Sequence, residues 1–116
     1  MKKILFCDDD SSRHSKFFQT KEQGDELRQV WNAADCIEAL KEGRYDLVSL
    51  DHDLNGEAYQ NPAEKNTGSE VVRFITANKP DVKEFVVHSY NEFAAKNMVE
   101  DLQKAGYRVE WSPFSL

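Results

Sequence analysis

Apolar positions along the chain fall into two alternating patterns, short unbroken runs and stripes at helical spacing. The run KKILFC at 2–7 predicts a strand covered on both faces. Asp10, Ser11 and Ser12 then offer N-caps for a helix through about Gln19 that carries Phe17 and Phe18. ELRQVW at 26–31 predicts a weaker strand, and from Asn32 the spacing turns helical through Ala33, Ile37 and Leu40, with Gly43 as its stop. YDLVSLD at 45–51 is a second buried strand. NGEAYQNPAEKNTG, 55–68, has no apolar period and many loop formers, so it predicts a long loop of a length that often serves function. Beyond it, Val71, Val72, Phe74 and Ile75 mark a helix ending before Pro80, and FVVHS at 85–89 marks a strand. Ala95, Met98, Val99 and Leu102 give an amphipathic helix over 92–105, and YRVEW at 107–111 gives a last strand.

Five strands alternating with four helices predict an α/β fold, a single domain over 1–116 built on a doubly wound parallel five-stranded sheet. Ligands of such sheets bind beyond the carboxyl ends of the strands. Asp8, Asp9, Asp51 and Ser89 all fall at those ends, so separate segments converge on one place.

Charge narrows the function. Asp and Glu outnumber Lys and Arg by 21 to 15, a formal net charge of -6, which disfavours coating DNA or RNA. A small phosphate ester held in a local pocket stays compatible with that balance. The two cysteines, Cys7 and Cys36, have neither metal spacing nor a disulfide framework and are expected in the core of a protein in a reducing compartment. The opening MKKILFC is too short for a signal or membrane segment, so a cytoplasmic protein without membrane contact is expected.

The chemistry-bearing residues gather at the strand ends. Asp8 and Asp9 after the first strand, with Asp51 and Asp53 after the third, offer hard oxygen ligands to a divalent cation, Mg2+ or Mn2+. Asp10 reads as a helix cap. In SLDHDL, His52 sits between two acids, and in VVHSYN, His88 precedes Ser89 and Asn91. Two histidines around a phosphate can divide proton removal and donation, which opening a phosphate ester requires. Ser89 and Thr67 offer hydrogen bonds to phosphate oxygens, and Gly68 allows close backbone approach at a helix N-terminus. Asn91 is either a phosphate contact or the next N-cap; Arg13 either neutralises a phosphate or pairs with an aspartate. His14 has no partner in sequence and is expected on the surface.

ILFCDDDSSR, DLVSLDHDL, FVVHSYN and VEWSPF resemble, in order, the strand-end motifs of response-regulator receiver domains, over nearly the whole chain. The resemblance implies a flavodoxin-like receiver fold, magnesium held by Asp8, Asp9 and the phospho-acceptor position Asp51, and a Ser/Thr position at Ser89. Ser112 stands where that family has a lysine before its proline, here Pro113, which argues against ordinary phosphorelay switching. The forms DHDL and HSYN resemble the cyclic-phosphate-processing branch of the receivers. That branch implies a metal-dependent phosphoesterase acting on a cyclic phosphate of a nucleotide or RNA end; the alternative is a non-enzymatic, degenerate receiver that binds a phosphate ligand or a protein. The last helix of the family is missing from the pattern, which predicts an uncovered apolar sheet face. Either a homodimer or Phe114 and Leu116 of the tail would cover it.

Overall fold

A computed structural model describes residues 2–54 and 65–113. In chain order the elements are β1 (Lys3–Cys7), α1 (Ser11–Thr20), β2 (Glu26–Val30), α2 (Ala33–Glu42), β3 (Tyr45–Leu50), α3 (Gly68–Asn78), β4 (Val82–Val87), α4 (Glu92–Lys104) and β5 (Arg108–Trp111). All strand pairs are parallel, in the order β2-β1-β3-β4-β5. The order reverses between β1 and β3, which opens a crevice at their carboxyl ends. The five-stranded flavodoxin-like architecture is the expected one, and no helix follows β5 among the described residues.

Each helix begins at a side-chain cap. Asp10 accepts from Ser12 N, Asn32 from Asp35 N, Thr67 from Glu70 N and Asn91 from Ala94 N. These bonds satisfy backbone donors that the first helical turn leaves unpaired. β4 begins at Val82 rather than at residue 85, with buried Val82 paired to Tyr45 and exposed Lys83 bonded to Asp46. The charged pair Lys83 and Glu84 hides this start from an apolar-run reading. The strand ends at Val87, leaving His88 and Ser89 beyond it. Most of the expected 55–68 loop, together with Phe114 and Leu116, falls outside the described residues.

The two sheet faces are filled unequally. Leu5, Cys7, Val48, Leu50, Phe85 and Val87 form the main core with residues of α2, α3 and α4. On the other face, Phe6 packs under α1, stacked against Phe17 at 4.3 Å and His88 at 4.9 Å between ring centroids. Strand register places Ser49, Val86 and Glu110 on that same face, and Leu47, Glu84 and Arg108 beside Ile4. Glu110 and Arg108 are exposed and Glu84 half-buried, so the face beyond α1 is a mixture of charged and apolar groups rather than the apolar surface expected.

His14 corrects another expectation. It is buried, not on the surface, because α1 turns it inward against Phe6 and the stacked ring of Trp31. Its two ring nitrogens meet Gln29 Oε1 at 2.9 Å and the Asp8 carbonyl at 2.7 Å, partners distant in sequence. Cys7 and Cys36 are buried as expected; a hydrogen bond with Cys36, then burial, raises the Cys7 thiol well above its ordinary range and leaves it unreactive. No helix among the described residues is long and apolar enough to cross a membrane.

Candidate functional site

Three consecutive aspartates at the end of β1 need positive charge nearby, and Arg13 supplies it. One turn into α1, its guanidinium donates to Asp8 Oδ2 at 2.7 Å and lies 3.7 Å from Asp9, 3.6 Å from Asp10 and 3.7 Å from Asp51. Asp8 is fully buried, and its carboxylate also accepts from Asp10 N at 2.9 Å and His88 Nε2 at 2.9 Å. Burial opposes its charge, but the donors His88 and Arg13 outweigh that and hold Asp8 below the usual carboxylate range. Of the two roles left open for Arg13, the ion pairs realise the one toward aspartate.

Asp51, at the end of β3, has the opposite balance. Its burial, and then the charge of Asp8, raise its pKa to about 8 against the pull of Arg13. One carboxylate is therefore ionised and its neighbour protonated near neutral pH, as two acids sharing a buried site require. His88 stands beside them with both ring nitrogens engaged, Nε2 on Asp8 and Nδ1 at 2.7 Å from Ser49 Oγ. Burial depresses its pKa, so the ring is neutral, donating Nε2–H to Asp8 and accepting from the Ser49 hydroxyl. Sequence reading missed Ser49; its signal was a polar residue within the buried run YDLVSLD.

A second group lies across the crevice. His52 is buried, with Nδ1 at 2.9 Å from Asp53 Oδ1 and 3.5 Å from Asn91 Nδ2, while Asn91 Nδ2 donates to Asp53 Oδ1 at 3.4 Å. The carboxylate only accepts, so Nδ1 carries a hydrogen, which in the neutral tautomer leaves the lone pair on Nε2. Among the described residues, that buried Nε2 has no hydrogen-bond partner. Ser89 Oγ accepts from Asn91 N at 3.0 Å, and the Trp111 indole, also missed in sequence, donates to the Ser89 carbonyl at 2.9 Å. Asp53 thus serves His52 directly, and its charge adds to the raised pKa of Asp51.

Thr67 and Gly68 join α3 to this group from below. Thr67 is buried and caps α3, and Gly68 N donates to the His52 carbonyl at 2.8 Å. The close approach Gly68 permits is to the chain itself: an added Cβ would meet the Asp51 carbonyl oxygen at 2.2 Å and Met98 Cε at 2.6 Å. Gly68→Ala is therefore expected to cost about 1–3 kcal/mol or more by overpacking, read as a lower urea midpoint.

The residues fit a divalent cation. Asp8, Asp51 and His88 offer ligand atoms within 4.8 Å of one another, all from buried side chains. Two close carboxylates, one kept protonated by the other's charge, form a site that added positive charge relieves. Both ring nitrogens of His88 are already hydrogen-bonded, so the carboxylates of Asp8 and Asp51 are the groups that would hold the ion, and carboxylate oxygens suit Mg2+ or Mn2+. Asp9 borders this group through Arg13, and Asp53 lies on the His52 side.

The fold has solved counterparts. The response regulator TrrA of Thermotoga maritima, in complex with Mg2+ and BeF, is 24% identical with a TM-score of 0.72, over 100% of this chain and 89% of that one. A CheY-like response regulator receiver domain from Methanospirillum hungatei is 19% identical with a TM-score of 0.67, over 99% and 84%. TrrA bound to the histidine kinase ThkA matches at 25% identity and a TM-score of 0.70, over 99% and 87%. No curated protein matches the sequence significantly. The model of the cyclic-phosphate processing receiver domain matches residues 3–104, and with the acidic strand ends and paired histidines in place, this chain belongs to that family.

Proposed function

We propose that the protein is a metal-dependent phosphoesterase that opens a cyclic phosphate on a nucleotide or RNA end. The observation that carries this reading is the buried Nε2 of His52, which has no hydrogen-bond partner among the described residues. A buried polar atom without a partner costs stability, and a catalytic role is one reason for a fold to keep it. Asp53 and Asn91 fix the ring from the Nδ1 side, which leaves Nε2 as a base.

In this mechanism His52 Nε2 takes a proton from water as the water oxygen bonds to phosphorus. The bond from phosphorus to one ribose oxygen breaks, that oxygen takes up a proton from solvent water, His52 returns its own proton to solvent, and a phosphomonoester is the product. Arg13, its side chain 21% exposed while it pairs with the aspartates, would face the phosphoryl oxygens as well. A divalent cation held by Asp8 and Asp51 would supply Lewis-acid polarisation of the phosphoryl group. His88, with both nitrogens engaged, is a positioning residue that holds Asp8 in its ionised orientation. The family description and the Mg2+ in the TrrA complex support this assignment of substrate and cation.

Receiver phosphotransfer is the competing reading, since Asp8, Asp51 and Ser89 keep the receiver arrangement. Ser112, at the position of the family lysine, argues against it. A panel of 2′,3′- and 3′,5′-cyclic nucleotides and short RNA with a cyclic end, with Mg2+, Mn2+ or chelator, separates the two by chromatography. Cation-dependent turnover that falls about 100- to 10,000-fold in His52→Ala is expected. No turnover, with an acyl phosphate forming at Asp51 from a small phosphodonor, would replace this reading with the signalling one.

A further inference from the structure

The strand order leaves β5 at an edge of the sheet, with β4 as its one neighbour. In a parallel ladder, alternate residues of a strand turn both backbone groups toward the same side. Ser112 N donates to the Val87 carbonyl at 2.9 Å, and Val87 stands opposite Trp111 in register. Glu110 therefore bonds toward β4 as well, while Val109 and Trp111 turn their N–H and C=O outward. Arg108, Glu110 and Trp111 are exposed and Val109 is half-buried.

An unpaired edge is a template for another strand, and proteins that keep it single use Pro, bulges or repelling charge. β5 has none of these: its register with β4 is continuous, and its two charges are of opposite sign. Arg108 and Glu110 flank Val109 symmetrically on one face of the sheet. An antiparallel second copy centred on Val109 sets Arg108 of each chain opposite Glu110 of the other. These are the non-hydrogen-bonded positions, where side chains across an antiparallel pair stand closest, while the two Val109 residues exchange N–H to C=O bonds. The opposite edge of the sheet lacks this freedom, since in β2 Arg28 pairs with Glu42 and Gln29 holds His14.

We propose that β5 is a homodimer interface, in which two copies pair antiparallel about Val109 and join their sheets into one. A two-fold contact requires a surface complementary to itself, and the sequence Arg-Val-Glu meets that requirement in this register alone. The paired segment is short, so the dimer is weak and depends on concentration. Trp111, whose indole donates to the Ser89 carbonyl at 2.9 Å, lies at one end of the contact, so the interface borders the loop that carries His88, Ser89 and Asn91.

Sedimentation velocity of the full chain from micromolar to millimolar concentration reads the equilibrium between monomer and dimer. Arg108→Glu and Glu110→Arg are each expected to weaken the dimer about 10-fold or more, because either reversal sets two like-charge pairs across the two-fold axis. The double exchange should restore most of the affinity. In register Arg108 lies beside Glu84, so Arg108→Glu also crowds two acids within one chain; Glu110→Arg lies beside Val86 and is free of that effect. Amide hydrogen exchange locates the contact: the outward N–H of Val109 should gain protection as concentration rises, and lose it in Glu110→Arg. A chain that stays monomeric throughout would overturn the proposal. So would a dimer that neither reversal weakens, or one in which Val109 exchanges at its monomer rate.

Discussion

Asp8→Ala is expected to lower the unfolding free energy by about 3–5 kcal/mol, the cost of removing one partner from a buried ion pair. For a domain of this size that corresponds to a fall in Tm on the order of 12–20 °C, readable by calorimetry. Asp8 is the acceptor for Arg13 Nε, His88 Nε2 and the Asp10 backbone N–H, all at 2.7–2.9 Å. Alanine leaves these donors without that acceptor, and the buried His88 loses the contact that holds its ring. The neighbouring Asp9 is a sharp control. It is partly exposed and lies 3.7 Å from the guanidinium, so Asp9→Ala should change stability by no more than about 1 kcal/mol. An equal loss in both variants would show that total acidic charge, and not the Asp8 hydrogen bonds, matters. Cyclic phosphate turnover is expected to disappear in Asp8→Ala at temperatures where the variant is still folded.

The contrast between Asp8 and Asp9 also marks how far the sequence alone reaches. Strand ends, the convergence of Asp8, Asp51, His52 and His88, and the caps Asp10 and Asn91 follow from local spacing, because strand alternation and capping are local rules, whereas Thr67 read as a phosphate contact and is the cap of α3. Partnership across the crevice does not follow. Arg13 stood equally between phosphate and aspartate until its guanidinium was placed among four carboxylates. The two histidines were interchangeable in sequence, yet tertiary contacts separate them: both nitrogens of His88 are engaged, and one nitrogen of His52 has no partner among the described residues. His14 and Ser49 read as ordinary polar residues because what makes them structural, Trp31, Gln29 and His88, comes from other strands. Gly68 read as a cradle for phosphate, while the close contact it allows is with the backbone of Asp51.

Asp51→Asn is expected to stabilise the cation-free protein and to abolish its response to cation. The Asp51 pKa is raised to about 8, first by burial and then by Asp8, whereas an unfolded aspartate titrates near about 4. Below pH ~4 both states hold the proton and the residue has no linkage effect. Between pH ~4 and ~8 the unfolded chain ionises while the folded protein keeps its proton, so this group makes stability fall as pH rises, until it levels above ~8. Asp8, depressed in the folded state, contributes stability above the ordinary aspartate pKa that is lost as pH falls through its folded value, a separate and more acidic window. Asparagine keeps the acceptor for His52 N, 2.9 Å away in the parent, and has no charge to bury. Denaturation with chelator at pH 5, 6.5 and 8 should therefore show an advantage for Asp51→Asn that grows with pH to a few kcal/mol, the difference between the curves cancelling the histidines common to both. Adding Mn2+ should reverse the order at pH 8, because the cation binds the ionised carboxylate and stabilises only the parent. An advantage independent of pH would show that Asp51 is ionised in the folded protein throughout, with Arg13 outweighing burial and Asp8.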